Sequence, residues 1–545
     1  MNNRKLKAID LYSGIGGWSV GLEAAGIEVV RCYEWWDRAL DTYNQNLSPV
    51  AKLQDIRSLK PEEISCGDID VVVGSPPCTQ FSYANRGGSG DIVDGLIDIA
   101  KFLEVVDYLQ PKFWAMENVP RVANILKREL ASGGQLANFA HLVDVIEVVD
   151  ISDFGLPQRR KRMIAGRFPF ALLDSYKEVL PKKTLGDVLK SLGKHPVLDP
   201  NYKICVEDVS ELENERPLDE EEQRLNLEAK QYHPVYNKMS FPDELGRPAR
   251  TVTALCTRVS RESIIVQDVT SPNEVRRLSI RERACLQGFP ITYQFFGKSH
   301  SEKAKLIGNA IPPLLTYYIA NSMLGIESHE LMPTTKIIPP NKEPLEPHPV
   351  TSPPVSGRKF PKTRSFRAAL KGLRFGSGMR FELVNNMEDG LPRWKTAFYF
   401  GNSKDIKEVL LDSEVLDQIN LLQLSSAFQA KCTEIFSTLT GRFAGMTHDD
   451  IQKAWTRHID APGPFIVADA LGEAGMLLAE SLEKADLLYA KDFTLKASGN
   501  GAAEPLVNGA RKLAENSPQI FAGIIICSFF NSKGVALLDR VKSAA

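Results

Sequence analysis

A cysteine preceded by two prolines stands directly after a short apolar run, and this position suits nucleophilic chemistry. Residues 70–74 have the composition of a buried strand, and Ser75-Pro-Pro-Cys78 follows them at once. Ligand sites in open parallel sheets lie at the carboxyl ends of strands, and prolines restrict the backbone that carries the thiol. Cys78 is therefore a candidate nucleophile. The alternative is a small apolar side chain, which is the commoner role of a single cysteine.

Two further polar groups follow other strand-like runs. Glu117 ends the run 113–117, and residues 158–162 (Gln-Arg-Arg-Lys-Arg) follow a turn that contains glycine and proline. A carboxylate beside a reacting group can move a proton, and arginines stabilise developing negative charge. Taken singly, the carboxylate could cap a strand and the arginines could lie on a solvated face. Together with Cys78 they predict a site at one edge of a sheet.

A glycine-rich turn near the amino terminus is the candidate cofactor site. Residues 10–17 follow a strand-like run and open a helix, and Ser19 occupies the last glycine position of the dinucleotide pattern. This departure counts against NAD or FAD. Glu34 ends the next strand-like run, where a carboxylate can accept hydrogen bonds from ribose hydroxyls, and Asp55 could accept one from an adenine amino group. A loop without a phosphate cradle suits S-adenosylmethionine, and a glycine turn that only packs is the alternative.

Strand-like and helical runs alternate around these residues. The strand-like runs are 7–10, 27–33, 70–74 and 113–117, and the helical runs are 17–25, 37–44 and 97–109. Such alternation predicts βαβ units and a mostly parallel sheet with both faces covered. We therefore expect an α/β fold in which the sheet positions the candidate site.

In their order, these motifs resemble those of the cytosine-C5 DNA methyltransferase family of bacterial or phage modification enzymes. The resemblance covers roughly residues 6 to 325 and rests on residues 10–17, 76–78, 117–119, 158–162, 277–290 and 308–309. It implies a Rossmann-like, S-adenosylmethionine-dependent methyltransferase fold with an inserted target-recognition region. Ser75 stands where a glycine is common in the family, and Thr79-Gln80 stand where Gln-Gly is common.

The resemblance also implies a role for each site residue. Cys78 would add to C6 of a cytosine flipped out of a DNA duplex, and Glu117 would bind its N3 and amino edge. Arg160 and Arg162 would lie near the base carbonyl and the backbone. The cofactor residues implied by the family are Tyr12, Gly14, Gly16, Gly17, Glu34, Trp35, Asp55, Ile56, Pro76 and Asn309. No metal is expected, because the eight cysteines form no Cys-x-x-Cys pair or Cys/His cluster.

The domain prediction divides the chain at changes in composition. Residues 1–167 and 276–330 are assigned to the catalytic domain, 168–275 to target recognition, 331–365 to a proline-rich basic linker, and 366–545 to an accessory domain of mixed α/β structure. Within the recognition region the acidic part, 207–228, would repel phosphates and is expected to face solvent or to close over the outside. Arg250, Arg258 and Arg261 in the basic part are expected to reach guanine edges or phosphates. A solvated positive loop is the alternative.

Two local structures are predicted in the accessory region, which carries no catalytic constellation. A helix is expected to begin at Thr447, which is followed by His-Asp-Asp, and residues 521–530 have the composition of a buried strand. We interpret the region as a binding or specificity domain.

The expected partner is double-stranded DNA, held by local patches because the formal net charge is only −2. We expect a cytoplasmic monomer without a membrane segment, and a cognate restriction endonuclease is a possible partner. The alternatives are a tRNA cytosine-5 methyltransferase and a non-catalytic DNA-binding homologue. The size of the recognition region and the missing Cys-Phe-Thr signature favour DNA over tRNA. The intact Cys78 and Glu117 favour catalysis.

Overall fold

A computed structural model describes most of the chain. The described residues are 4–48, 50–64, 67–81, 90–212, 215–231, 238–268, 271, 273–340, 366–368, 370–373, 379–388, 391–402, 405–411, 418–455, 463–497, 508–528 and 531. Residue contacts divide the chain into a first unit, Met1–Gln231 with Met239–Pro354, and a second unit, Tyr232–Lys238 with Val355–Ala545. Most of the predicted linker, residues 341–365, lies outside the described residues.

A seven-stranded sheet forms the centre of the first unit. Its strands are β1 (Lys7–Leu11), β2 (Glu28–Glu34), β3 (Ala51–Leu53), β4 (Val71–Gly74), β5 (Phe113–Asn118), β6 (Val145–Asp150) and β7 (Lys161–Arg167). They lie in the order β3-β2-β1-β4-β5-β7-β6. The pairs among β1 to β5 are parallel, whereas β7 is antiparallel to both β5 and β6. The predicted mostly parallel sheet is confirmed.

Both faces of this sheet are buried. Val71 and Val73 of β4 pack in one apolar cluster, and Val72 packs in another. Successive side chains of a strand point to opposite faces, so a strand covered on both sides is apolar throughout. The helices of the unit are α1 (Gly17–Ala24), α2 (Asp37–Asn46), α3 (Ile92–Leu109), α4 (Arg121–Leu130), α5 (Phe170–Ser175), α6 (Leu185–Leu192), α7 (Glu220–Lys230), α8 (Ile280–Leu286), α9 (His300–Asn309) and α10 (Pro313–Leu324).

Close packing of α10 against α1 brings a late segment of the chain beside the glycine turn. The Thr316 hydroxyl donates a hydrogen bond to the carbonyl of Gly17 over 2.8 Å. A Cβ on Gly17 would lie 2.2 Å from the carbonyl oxygen of Ile311, and a Cβ on Gly21 would lie 2.0 Å from the Thr316 hydroxyl. Only glycine permits this approach, so the residues before α10 lie against the turn that opens α1.

The recognition region contains two small antiparallel sheets and a buried ionic cluster. The sheets pair β8 (Val197–Leu198) with β9 (Cys205–Val206), and β10 (Ile265–Gln267) with β11 (Val275–Arg277). Glu215 and Glu222 are only 9% and 2% exposed, and both pair with Arg258. The prediction that the acidic part faces solvent is therefore wrong for these carboxylates. Opposite charges that are separated in sequence meet in the fold, which a local reading of charge could not detect.

The second unit combines an antiparallel sheet with helices. The sheet runs in the order β12 (Phe366–Ala368), β13 (Met379–Glu388), β14 (Leu391–Asn402) and β15 (Asp405–Leu411). The helices are α11 (Ser426–Arg442), α12 (His448–Trp455), α13 (Phe465–Glu480), α14 (Lys484–Ala497), α15 (Asn508–Glu515) and α16 (Ser517–Ser528). This mixed composition agrees with the prediction for the region.

One local prediction in the second unit is confirmed and one is wrong. The helix start at Thr447 is confirmed, because the Thr447 hydroxyl accepts a hydrogen bond from the Asp450 amide over 3.1 Å at the beginning of α12. The predicted strand at 521–530 is wrong, because residues up to Ser528 belong to α16. Residues 520–527 are all buried. A helix that is apolar on every side lacks the periodicity that separates a helix from a strand in sequence.

None of the helices in the described part of the chain has the length and apolar character that crossing a membrane requires.

Candidate active site

The turn after β4 carries Cys78 and is held from three directions. A Cβ on Gly74 would lie 2.4 Å from the Leu11 carbonyl oxygen, so this strand end passes unusually close to β1. The Asn118 side chain donates to the Pro76 carbonyl over 3.0 Å, and the Trp18 indole donates to the Ser75 hydroxyl over 3.0 Å. The turn is therefore fixed by β1, β5 and α1 at the carboxyl edge of the sheet.

Glu117 faces the same edge from β5 and is paired with an arginine of β7. The Nε of Arg162 lies 2.8 Å from Glu117 Oε1, and Glu117 is only 6% exposed. Glu117 lies opposite Ile164 in the antiparallel pairing of β5 with β7, so Arg162 reaches it from two residues along the strand. This ion pair fixes the orientation of the Glu117 carboxylate at the edge of the sheet.

The protonation of Cys78 depends on both of these strands. Burial raises the pKa of the Cys78 thiol above its ordinary value, and the charge of Glu117 raises it further. The charges of Arg162 and Arg160 lower the pKa of the same thiol. The structure therefore brings together, within electrostatic range of each other, the four residues that the sequence assigned to catalysis.

Arg160 has an anchoring role that the sequence did not predict. Its side chain is buried, with Nη1 donating to the Val252 carbonyl over 2.9 Å. Its Nη2 donates to the carbonyls of Gly308 (3.0 Å) and Ala310 (3.1 Å). The buried Nε–H has no partner among the described residues. Arg160 thus ties β7 to two segments that return from much later in the chain.

Gln158 is a site residue to which the sequence gave no separate role. It is fully buried, and its side-chain oxygen accepts a hydrogen bond from the Val252 amide over 2.7 Å. Its amide nitrogen donates to the carbonyl of Leu286 (3.1 Å) and to the side chain of Gln287 (2.8 Å). Because Gln158 directly precedes a run of cations, the sequence favours a solvated position for its side chain. Its bonds depend on partners about 90 to 130 residues away.

The glycine turn and the end of β2 form a cradle around the Glu34 carboxylate. The backbone amide of Gly14 donates to Glu34 Oε2 over 2.8 Å, and those of Trp35 and Trp36 donate to Oε1 over 3.0 and 2.8 Å. Burial raises the pKa of Glu34. Gly14 has a positive φ of 56°, and a Cβ built there would meet no atom within 4 Å. The amides orient Glu34, and the space beside Gly14 is open to a ligand.

The other predicted cofactor residues differ in how they could meet a ligand. Asp55 and Asn309 are exposed, and Pro76 is buried. The Trp35 indole is 62% exposed, whereas Ile56 is 1% exposed and packs in the core below the edge. Gly16 and Gly17 have no room for a Cβ, because Leu47 and Ile311 occupy that space. Glycine is therefore required at both positions for close packing, as the alternative interpretation of the glycine turn predicts.

This donor set fits an adenosyl group without phosphates. Glu34 and Asp55 offer carboxylate acceptors, which match ribose hydroxyls and an adenine amino group. Tyr12 and Trp35 offer aromatic faces for stacking. Within the described ranges there is no group of three or more side chains arranged to hold a metal ion.

The structure places the three arginines predicted to contact DNA in internal hydrogen bonds. Arg258 is 6% exposed and binds both Glu215 and Glu222. Arg250 forms two 2.7 Å bonds to Asp243, and Arg261 donates to the Ala229 carbonyl over 2.8 Å. The predicted DNA contact disagrees with this geometry most clearly at Arg258, because its guanidinium binds two carboxylates inside the recognition region.

A different set of residues is exposed near the catalytic edge. Arg159 is exposed, and its carbonyl accepts a hydrogen bond from the hydroxyl of the half-buried Thr251 over 2.8 Å. Leu255 is 81% exposed, which is unusual for a large apolar side chain. These residues adjoin Arg160 and Val252 in sequence, so they lie beside the segment that Arg160 anchors.

The raised pKa of Cys78 predicts how its alkylation depends on pH. The thiol is protonated at neutral pH, because burial and Glu117 disfavour the thiolate. Its alkylation by iodoacetamide should rise about tenfold per pH unit between pH 7 and 9. Mass spectrometry of the Cys78 peptide measures this rate, with the exposed Cys205 as the internal control. A rate at Cys78 that is already constant above pH 7 would contradict the prediction.

Comparisons with known proteins find a matching family and several similar proteins. The family described as C-5 cytosine-specific DNA methylase matches residues 6–325. Curated relatives include the type II methyltransferase M1.HphI of Haemophilus parahaemolyticus, which is 29% identical over 60% of this chain and 88% of that protein. Another is M.HindV of Haemophilus influenzae, 27% identical over 60% of this chain and 99% of that protein. The crystal structure of the S. pombe Dnmt2 methyltransferase is 17% identical with a TM-score of 0.43, and covers 59% of this chain and 99% of that one.

Proposed function

The chain belongs to the C-5 cytosine-specific DNA methylase family, and from this premise we propose that it methylates C5 of a flipped cytosine in a short DNA sequence through a covalent Cys78 adduct. The observation that carries the proposal is the cluster of Cys78, Glu117 and Arg162 at one sheet edge. The turn bearing the thiol is fixed there by Asn118, and Glu117 is oriented by Arg162. The cradle around Glu34 lies at the same edge, because β1, β2, β4 and β5 are parallel neighbours.

The first step of the proposed reaction activates the base. C5 of cytosine is a poor nucleophile, so the Cys78 thiolate adds to C6, and the electron pair of the C5–C6 double bond becomes available at C5. Glu117, held by Arg162, hydrogen-bonds the N3 edge and favours protonation at N3 as the ring loses aromaticity. The charges of Arg162 and Arg160 oppose the effect of burial on Cys78 and favour its thiolate.

The second step forms the product and restores the thiol. S-adenosylmethionine, when bound, supplies an electrophilic methyl group. As C5 takes this methyl group, the methyl–sulfur bond breaks and S-adenosylhomocysteine is left. The C5 proton then passes to a base, and the electron pair of the C–H bond reforms the double bond as the C6–S bond breaks. Glu34 would bind the ribose hydroxyls of this cofactor, Tyr12 would stack on its adenine, and Asp55 would accept a hydrogen bond from the adenine amino group. A base within a duplex cannot reach Cys78, so the nucleotide is flipped out.

Methylation mapping tests the proposal. The full chain is expressed in cells that lack cytosine methylation, and 5-methylcytosine is sequenced in their DNA and their tRNA. We expect methylation at one short DNA motif. Methylation of tRNA alone would support the tRNA methyltransferase alternative, and cofactor binding without methylation of either would support a non-catalytic homologue.

The biological setting follows from the type II relatives. The two curated relatives above are named as type II methyltransferases, and we propose a role in restriction-modification for this chain as well. A cytoplasmic monomer that protects DNA against a cognate endonuclease fits this role. The accessory region, 366–545, is proposed to bind a partner or to adjust site choice.

The exposed residues beside Arg160 are proposed to contact the DNA backbone. Replacing Arg159 by alanine should weaken DNA binding about uniformly across sequences and reduce the salt slope of log K by about 1. Fluorescence anisotropy at several salt concentrations measures both quantities. Lys127→Ala is the matched control, since this exposed cation lies near the carboxyl end of α4 and so at the opposite edge of the sheet. An equal loss in both variants would remove Arg159 from the DNA interface.

A further inference from the structure

The turn that carries Cys78 is fastened at its far end by Gln80. The Gln80 side-chain nitrogen donates to Asp94 Oδ2 over 3.1 Å, and its side-chain oxygen accepts from the Asp91 amide over 3.0 Å. Gly90 lies so close that a Cβ there would be 2.2 Å from the Gln80 carbonyl oxygen. Both halves of the Gln80 amide are therefore used to hold this turn against the start of α3.

Arg57 continues the contacts from Asp94 to Asp98, one turn further along α3. Its Nη1 donates to Asp94 Oδ1 over 2.8 Å. Its Nε and Nη2 donate to the two carboxylate oxygens of Asp98 over 2.9 and 2.8 Å. A bidentate pair of this kind fixes the plane of the guanidinium as well as its distance. Arg57 directly follows the predicted cofactor residues Asp55 and Ile56.

Tyr12 completes the path at the glycine turn. Its hydroxyl donates to the backbone carbonyl of Asp98 over 3.2 Å and to Asp98 Oδ1 over 3.3 Å. The Tyr12 backbone has a positive φ of 56°, and the side chain is 8% exposed. Gln80, Asp94, Arg57, Asp98 and Tyr12 thus form one continuous chain of hydrogen bonds, called here the Gln80–Tyr12 chain.

The charges along this chain keep it ionised. The hydrogen bond from Arg57, followed by that from Gln80, lowers the pKa of Asp94 below its ordinary value. The hydrogen bonds to Asp98 and Asp94 raise the pKa of Arg57. Charge-assisted hydrogen bonds are shorter and stronger than neutral ones, so a displacement at one end of the chain changes the favoured position of the other.

We propose that Gln80 is a positioning residue that couples a cofactor bound beside Tyr12 to the placement of the turn that carries Cys78. The proposal rests on the proposed function, because it takes Tyr12 as part of the cofactor site. Cofactor and DNA would then each increase the affinity for the other, since coupling between two sites is reciprocal. Glycine is common at this position in the family that the sequence resembles, and it has no side chain to make these contacts. The contacts of Gln80 with Asp94 and Asp91 are thus a feature that this chain adds to the shared turn.

The test measures coupling by binding, independently of turnover. The full chain is titrated with S-adenosylhomocysteine by calorimetry, with and without a duplex that carries the mapped target cytosine. For the wild type we expect DNA to tighten binding at least about fivefold. For Gln80→Ala the ratio should fall to within about twofold of unity, while the affinity without DNA changes less than about twofold. Gln80→Glu keeps the length of the side chain but opposes the Asp94 carboxylate, and should also lose the coupling.

Two further variants make the test specific. Arg57→Ala should lose the coupling as well, and combining it with Gln80→Ala should cause no further loss, because both act in one chain. Glu104→Gln is the matched control, since it breaks a 2.8 Å pair with Lys101 on the same helix outside the chain.

The proposal is overturned if Gln80→Ala keeps the wild-type ratio, if the wild type shows no coupling, or if Glu104→Gln loses as much. A wild type that methylates no DNA would instead overturn the proposed function, so the two failures are distinguishable.

Discussion

Replacing Cys78 by alanine is expected to lower methyl transfer by at least about 10⁴-fold, because the proposed activation of C5 depends on the bond between the Cys78 sulfur and C6. The fold should not change, since the turn is held by backbone and side-chain contacts at Pro76 and Ser75 rather than by the thiol. Tritium transfer from labelled S-adenosylmethionine to DNA measures the loss. Cys205→Ala is the matched control, because that thiol is exposed and lies in the recognition region.

A trapped adduct separates the covalent role from a loss of geometry. With 5-fluorocytosine at the target position, methyl transfer is followed by no proton loss, because the fluorine on C5 cannot leave as a proton does. The wild type should then remain bound to DNA through the C6–S bond, and mass spectrometry should place the adduct on the Cys78 peptide. Adduct formation by Cys78→Ala, or methylation by this variant near the wild-type rate, would contradict the proposed mechanism.

The catalytic edge could be predicted from the sequence because each of its residues lies close to one end of a strand. Cys78 follows β4 and Glu117 lies near the end of β5, and parallel neighbours bring their carboxyl ends to one edge. Arg162 lies near the start of β7, which is antiparallel to β5 and therefore begins at that same edge. Local patterns in the sequence are sufficient for such an inference. The family that the motifs predicted is confirmed by the match of the family model to residues 6–325.

The roles of Arg160 and Gln158 could not be predicted in the same way. Both bind the backbone at Val252, which is about 90 residues later in the chain. A sequence shows that such side chains are polar but not that they are fully buried. The same limit applies to Arg258, whose charge favoured a DNA contact but whose partners are Glu215 and Glu222. Charge in a sequence predicts a partner of opposite sign, and here that partner belongs to the protein itself.

The buried cluster around Glu215 should make the first unit sensitive to loss of a single carboxylate. Glu215 Oε1 lies 3.0 Å from His300 Nε2 and also pairs with Arg277, while Oε2 lies 3.1 Å from Arg258. Burial lowers the pKa of His300, so this imidazole is neutral at pH 7. Glu222 pairs with Arg258 and with the partly exposed Arg216, so the two buried carboxylates balance the two buried guanidinium groups of Arg258 and Arg277. Removing Glu215 leaves one buried positive charge without compensation.

Replacing Glu215 by glutamine is therefore expected to lower the free energy of unfolding by about 3–5 kcal/mol at pH 7. Burial acts to raise the pKa of Glu215, but the hydrogen bond from His300 and the charge of Arg277 outweigh it, so the pKa is lowered. A carboxyl whose folded-state pKa is depressed stabilises the fold above its ordinary pKa of 4.5, and loses this contribution as the pH falls through the folded-state value. The difference in the free energy of unfolding between wild type and Glu215→Gln should therefore shrink as the pH falls through the folded-state pKa of Glu215.

Calorimetry of the full chain at several pH values tests this expectation. The transition of the first unit is identified as the one that S-adenosylhomocysteine raises, because a ligand stabilises the unit that binds it. Asp41→Asn is the control, since its pair with Arg38 is solvent-exposed and should contribute less than about 1 kcal/mol. An equal effect of both variants, or a Glu215→Gln difference that grows in acid, would mean that the cluster does not stabilise the fold through its charge balance.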